Sequence, residues 1–127
     1  MLNLLTAPKL YIWDQTIQME EIKRITQQLL DFRDARDWQQ FHNPKDLALA
    51  ISIEAAELNE LFLWKKAEEA NPEKVKEELA DIFSFAFLLA EKYGFDIQQI
   101  ITEKIKKNQV KYPVDKAKGT AAKYTEL

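Results

Sequence analysis

The chain has 127 residues, 46% of them apolar, which suits one folded domain with a real core and argues against wholesale disorder. Its 18 basic and 21 acidic side chains give a formal charge of -3, without the basic excess of a nucleic-acid surface, so no nucleic-acid partner is expected. No cysteine is present, which excludes disulfides and thiolate metal sites and suits a cytoplasmic protein.

Two glycines and four prolines leave long stretches free to be helical and offer too few turns for a sandwich or barrel. Residues Met1 to Tyr11 hold one short apolar run without a signal-peptide layout, and residues 1–15 are expected to be peripheral or irregular. Asp14 or Thr16 can cap a first helix running to about Asp37, with the stripe Ile22, Ile25, Leu29 and Phe32. Residues Trp38 to Asn43 read as a connecting loop. Asn43-Pro44 then supplies an N-cap and a proline at the first helical position, so a second helix runs to roughly Lys66.

Asn71-Pro72 repeats that start signal, with Glu73 in the first turn where the helix dipole favours an acid. The third helix is expected to reach Tyr93, with Gly94 as its stop. Asp96 with Gln99 resembles a capping box for a fourth helix, which must end before Pro113. Residues 114–127 show no apolar period and read as irregular. The longest uncharged apolar stretch, Ile82 to Ala90, rises only about 14 Å as a helix, too short to cross a bilayer, so no membrane partner is expected.

Four helices with short links predict an all-α antiparallel bundle in a single domain, or half of a bundle completed by a partner chain. The third helix bears on that choice. From Ile82 to Leu89 it is apolar on nearly every side, and such a helix needs neighbours all round. A homo-oligomer is therefore expected, with a tetramer, a dimer of dimers, preferred over a dimer.

Acids interrupt two of the apolar stripes. On the second helix the inward stripe is Leu47, Ile51, Glu54, Leu58 and Leu61, and Glu57 lies three residues beyond Glu54 on the same side. Glu78 and Asp81 repeat the spacing on the third helix, at the edge of the most apolar stretch. Carboxylates near a core are costly unless paired or bound to a cation. Oxygen-only ligands favour a hard cation such as Mg2+, with Mn2+ as a substitute, and magnesium commonly takes substrate phosphates as further ligands. The competing readings are ordinary solvated helix acids, as expected for Glu60, Glu68, Glu69 and Glu77, or salt bridges to Lys65, Lys74 or Lys76.

Trp38, Phe41 and His42 cluster before the second helix, and Trp64 is expected to close it. Aromatic faces of this kind stack on nucleobases, though they equally suit the capping of bundle ends. Lys104, Asn108 and Lys111 fall at i, i+4 and i+7, opposite Ile97, Ile101 and Ile105, on a stripe that can meet phosphates or simply face water. No glycine-rich phosphate loop is present.

The pair "ExxE" at Glu54–Glu57 and "ExxD" at Glu78–Asp81 resembles the MazG-like all-α nucleoside triphosphate pyrophosphohydrolases. "RDWQQFH", "ELFLWK", "EELADIF", "KIKKNQVKYP" and the terminal "KYTEL" narrow the likeness to the dCTP pyrophosphatase branch, over roughly Phe32 to Leu127. The resemblance implies a four-helix bundle completed by oligomerisation, with Mg2+ held by Glu54, Glu57, Glu78 and Asp81. It implies attack of water on the α-phosphorus of a (deoxy)nucleoside triphosphate, giving the monophosphate and pyrophosphate, as nucleotide-pool house-cleaning. Trp38, His42, Trp64 and Asn108 match positions lining the base and sugar pocket, and Lys104 matches a phosphate-side lysine. Ile53 stands where the wider MazG pattern has a further acid, as in the dCTP branch. Phe85 stands where a pocket tyrosine is expected, so it joins the substrate-binding residues with a weaker grip on base or sugar identity. Two alternatives stand beside this reading: a non-catalytic helical interaction module, and a related enzyme acting on another diphosphate-linked nucleotide.

Overall fold

The computed structural model describes the backbone of residues 7–127 and the side chains of residue 17 and residues 20–127. The described residues contain helices and no strand. The long helices are α1 (Ala7–Asp34), α2 (Pro44–Glu60), α3 (Pro72–Lys92) and α4 (Ile97–Lys111), followed by the single turn α5 (Val114–Ala117). Short 3-10 turns lie at Trp38–Phe41, Ala67–Glu69 and Tyr124–Glu126. The chain divides into two compact units between Gly94 and Phe95. In the first, α2 packs along α3, and α1 makes a lesser contact with α3.

Local chemistry sets most helix ends. The Asn43 Oδ1 accepts a hydrogen bond from the Asp46 N–H at 3.0 Å, and Pro44 occupies the first turn, where its missing donor costs nothing. Asn71 does the same for α3, accepting from the Glu73 N–H at 3.0 Å. At the far end of α3, Gly94 adopts φ +67, and its N–H bonds the Glu91 carbonyl. Asp96 caps α4 through the Gln99 N–H at 2.8 Å. The Gln99 amide turns along the helix to Glu103 instead, so the box is one-sided.

Several expectations differ from the structure. Helix α1 begins at Ala7, so Asp14 and Thr16 lie inside it and are not caps, and the expected irregular start is helical from residue 7. Its inward face is Ile22, Thr26, Leu29 and Arg33, while Ile25 and Phe32 are half exposed. Thr26 can sit there because its hydroxyl donates to the Ile22 carbonyl at 2.8 Å. Helix α2 stops at Glu60, short of Lys66: Phe62 and Leu63 bond back to Asn59 and Glu60 in a tightening turn, and Trp64 takes φ +61. Residues Trp38–Phe41 form a 3-10 turn after the left-handed Asp37, and the tail holds α5 and a final 3-10 turn in place of irregular chain.

The core of the first unit is small: Leu47, at 2% exposure, with Ala70, Leu88 and Ala90. Phe83 on the strongly apolar α3 remains 57% exposed, and Ile100, Ile101 and Ile105 of α4 are also open. No helix among the described residues is long and apolar enough to cross a membrane.

Candidate functional site

The packing of α2 on α3 brings acids together from two helices. Glu54 is half-buried among Ile51, Leu58 and Leu61 on the inner face of α2. One carboxylate oxygen from each of Glu54, Glu78 and Asp81 lies within 4.8 Å of the others. Carboxylates at this separation repel one another, so three anions cannot sit there at no cost. Desolvation, then a side-chain hydrogen bond with Glu57 and the charges of Glu57, Asp81 and Glu78, pushes the Glu54 carboxyl up to about 7. Desolvation, then Glu57 and Asp81, raises Glu78 as well.

Glu57 is exposed and is not one of the three converging acids, but its side chain shares a hydrogen bond with Glu54 and its charge presses on both Glu54 and Glu78. Ion pairs among the described residues join Arg33 to Asp34, Lys45 to Asp46 and Lys76 to Glu73. None of them reaches the cluster, so the salt-bridge reading with Lys65, Lys74 or Lys76 finds no support at these acids. A converging set of oxygen donors with no basic partner fits a hard divalent cation.

Phe85 lies one turn beyond Asp81 on the same face of α3, beside the acids. His42 follows the 3-10 turn and meets it edge-on, with ring centroids 6.4 Å apart. Burial, then the charges of Arg33 and Lys92, lowers the His42 pKa, so the imidazole is neutral near pH 7. Its Nδ1 is buried without a hydrogen-bond partner, a group available to a ligand.

The other expected pocket residues lie on separate elements. Trp38 packs edge-on against Phe32 at 5.9 Å, and the Arg36 guanidinium lies 3.7 Å over the Phe32 ring. Trp64 is 93% exposed on its left-handed turn. No described ring pair joins either tryptophan to His42. Lys104 and Asn108 are exposed on α4 in the second unit. Arg33 was not anticipated: it is 7% exposed, and its Nε donates to Asp34 Oδ1 at 2.7 Å. The signal was present, because Arg33 continues the 22, 26, 29 spacing of the inward stripe.

A model of the MazG-like family matches residues 49–127. The dCTP pyrophosphatase 1 of Bos taurus is 38% identical over 117 residues, covering 86% of this chain and 68% of that protein. The dCTP pyrophosphatase 1 of Homo sapiens is 33% identical over 129 residues, covering 95% and 74%. Among solved structures, a pyrophosphatase from Archaeoglobus fulgidus DSM 4304 is similar, with a TM-score of 0.66 and 37% identity over 76% of this chain and 93% of that one.

Proposed function

The chain belongs to the MazG-like family, and we propose that it is a metal-dependent (deoxy)nucleoside triphosphate pyrophosphohydrolase, with dCTP the first candidate substrate. The observation that carries this reading is the convergence of Glu54, Glu78 and Asp81 without an ion-pair partner among the described residues. The relatives named dCTP pyrophosphatase 1 and the similar archaeal pyrophosphatase support it.

Glu54, Glu78 and Asp81 would hold Mg2+, or Mn2+ in its place, with Glu57 beside them. Bound there, the cation would neutralise triphosphate oxygens and lower the pKa of water. The chain's own groups account for the rest. Glu57, exposed one turn from Glu54, can orient the attacking water and accept its proton. Oxygen then bonds to the α-phosphorus, and the bridging oxygen leaves with pyrophosphate. Asp81 and Phe85 share a face of α3, so phosphates at the acids place sugar and base beside Phe85 and the neutral His42.

His42 Nδ1 offers that ligand a hydrogen bond. Trp38 and Trp64 supply stacking faces, each worth about 1–3 kcal/mol to a base. Lys104 and Asn108 serve the phosphates and sugar. The phenyl ring of Phe85 lacks a hydroxyl to leave unpaired, so discrimination among nucleotides is weaker than a tyrosine would give. The exposed apolar faces of α3 and α4 suit burial against further copies of the chain, and a homotetramer is the assembly we favour over a dimer. Clearing unwanted nucleotides from a cytoplasmic pool is the role this chemistry fits.

Incubating the purified protein with Mg2+ and a panel of nucleoside triphosphates tests the reading. The monophosphate and pyrophosphate are the expected products. Orthophosphate as the sole product, or no turnover of any dNTP with either Mg2+ or Mn2+, would falsify it.

A further inference from the structure

We propose that Tyr124 is a positioning residue that presents Lys111 to the phosphates of a polyphosphate ligand. The proposal rests on the pyrophosphohydrolase reading for its substrate, and on the second compact unit for its geometry. Residues 95–127 carry seven lysines against four acids. The ion pairs among the described residues use none of these lysines, so their charge is left for an anion. Lys104, Asn108 and Lys111 lie at i, i+4 and i+7 and share one face of α4, about 10 Å from first to last.

The chain beyond α4 folds back onto the end of this stripe. Pro113 ends the helix, α5 makes one turn, and Gly119 takes φ +79, a conformation open to glycine. The Thr120 hydroxyl accepts the Ala122 N–H at 3.2 Å, and the Glu126 N–H bonds the Lys123 carbonyl at 2.8 Å. Within the second of those turns Tyr124 meets Tyr112 edge-on, with centroids 6.0 Å apart. The Lys111 Nζ lies 4.9 Å over the Tyr124 ring.

A carboxylate at that position would order the lysine and cancel its charge. An aromatic face orders it and leaves both the charge and the N–H donors available. A long, flexible side chain then loses less freedom when a phosphate arrives. The C-terminal return therefore serves ligand binding as well as packing.

The test compares wild type with Tyr124→Ala, Tyr124→Phe and Lys111→Met. It measures calorimetric binding of inorganic tripolyphosphate with Mg2+, kcat and KM for dCTP, and Tm. Tyr124→Ala and Lys111→Met should each weaken tripolyphosphate binding by about threefold or more, the scale of an exposed cation–π contact. In Tyr124→Ala, KM should rise by more than kcat falls. Tyr124→Phe, which keeps the ring face, should restore the wild-type values. A double variant should bind no worse than Lys111→Met alone.

Unchanged binding and KM in Tyr124→Ala, whatever its Tm, overturns the proposal. Should that variant fail to fold, unchanged binding in Lys111→Met overturns it equally. A wild type that binds tripolyphosphate but turns over no dNTP overturns the enzyme reading alone, and the binding comparison still decides the role of Tyr124.

Discussion

A carboxylate oxygen of Glu54 on α2 lies within 4.8 Å of one from Asp81 on α3. These residues are far apart in sequence, and no ion pair among the described residues reaches them, so a proton or a bound cation would relieve their repulsion.

Proton and metal compete at Glu54. Its folded-state pKa of about 7 is raised above the ordinary value of 4.5. A raised carboxylate binds a proton more tightly in the folded state, so metal-free stability falls as pH rises from about 4.5 through about 7. Melting in a chelator should thus give a lower Tm at pH 8 than at pH 5.5. Mg2+ should reverse the order, because its binding displaces the proton and strengthens above pH 7. A Tm with chelator that climbs from pH 5.5 to 8 would contradict this.

Glu54→Gln separates stability from function. The neutral amide removes a repelled charge, so the chelated variant should melt above wild type at pH 8. It should also lose the Tm rise on adding Mg2+. A variant that still responds to Mg2+ like wild type would remove Glu54 from the site.

Asp81→Asn and Glu57→Gln should each abolish turnover with helix content near normal by circular dichroism. The loss should exceed the roughly 100-fold that follows from removing a group that merely supports a ligand. Full activity in Glu57→Gln would limit the machinery to the three converging acids.

Phe85→Tyr should sharpen selection. A hydroxyl beside His42 gives the site a polar group that a wrong base or sugar leaves unpaired. The ratio of kcat/KM for dCTP over the other dNTPs should change by on the order of tenfold. An unchanged ratio would place Phe85 outside base and sugar recognition.

Much of this was legible from local signals. Asn43-Pro44, Asn71-Pro72, Asp96 and Gly94 mark helix ends because each satisfies or relieves backbone groups within its own turn. The end of α2 was not legible, since Leu61 to Lys66 contain no glycine or proline and the positive φ falls on Trp64. The inward stripe of α1 was misread because it includes Thr26 and Arg33, polar residues whose partners lie on their own helix. At the acids, spacing singled out Glu54, Glu57, Glu78 and Asp81, of which Glu54, Glu78 and Asp81 converge. Glu57 sits about 60° around the helix from Glu54, which suffices to leave it exposed at the edge of the cluster.

The most direct measurement is product analysis of wild-type protein with dCTP, Mg2+ and 18O-labelled water. The expected result is dCMP bearing the label, with unlabelled pyrophosphate and no orthophosphate. Label in pyrophosphate would place the attack on the β-phosphorus, and label in orthophosphate would place it on the γ-phosphorus. Either outcome would contradict α-phosphorus hydrolysis at the Glu54–Glu78–Asp81 cluster.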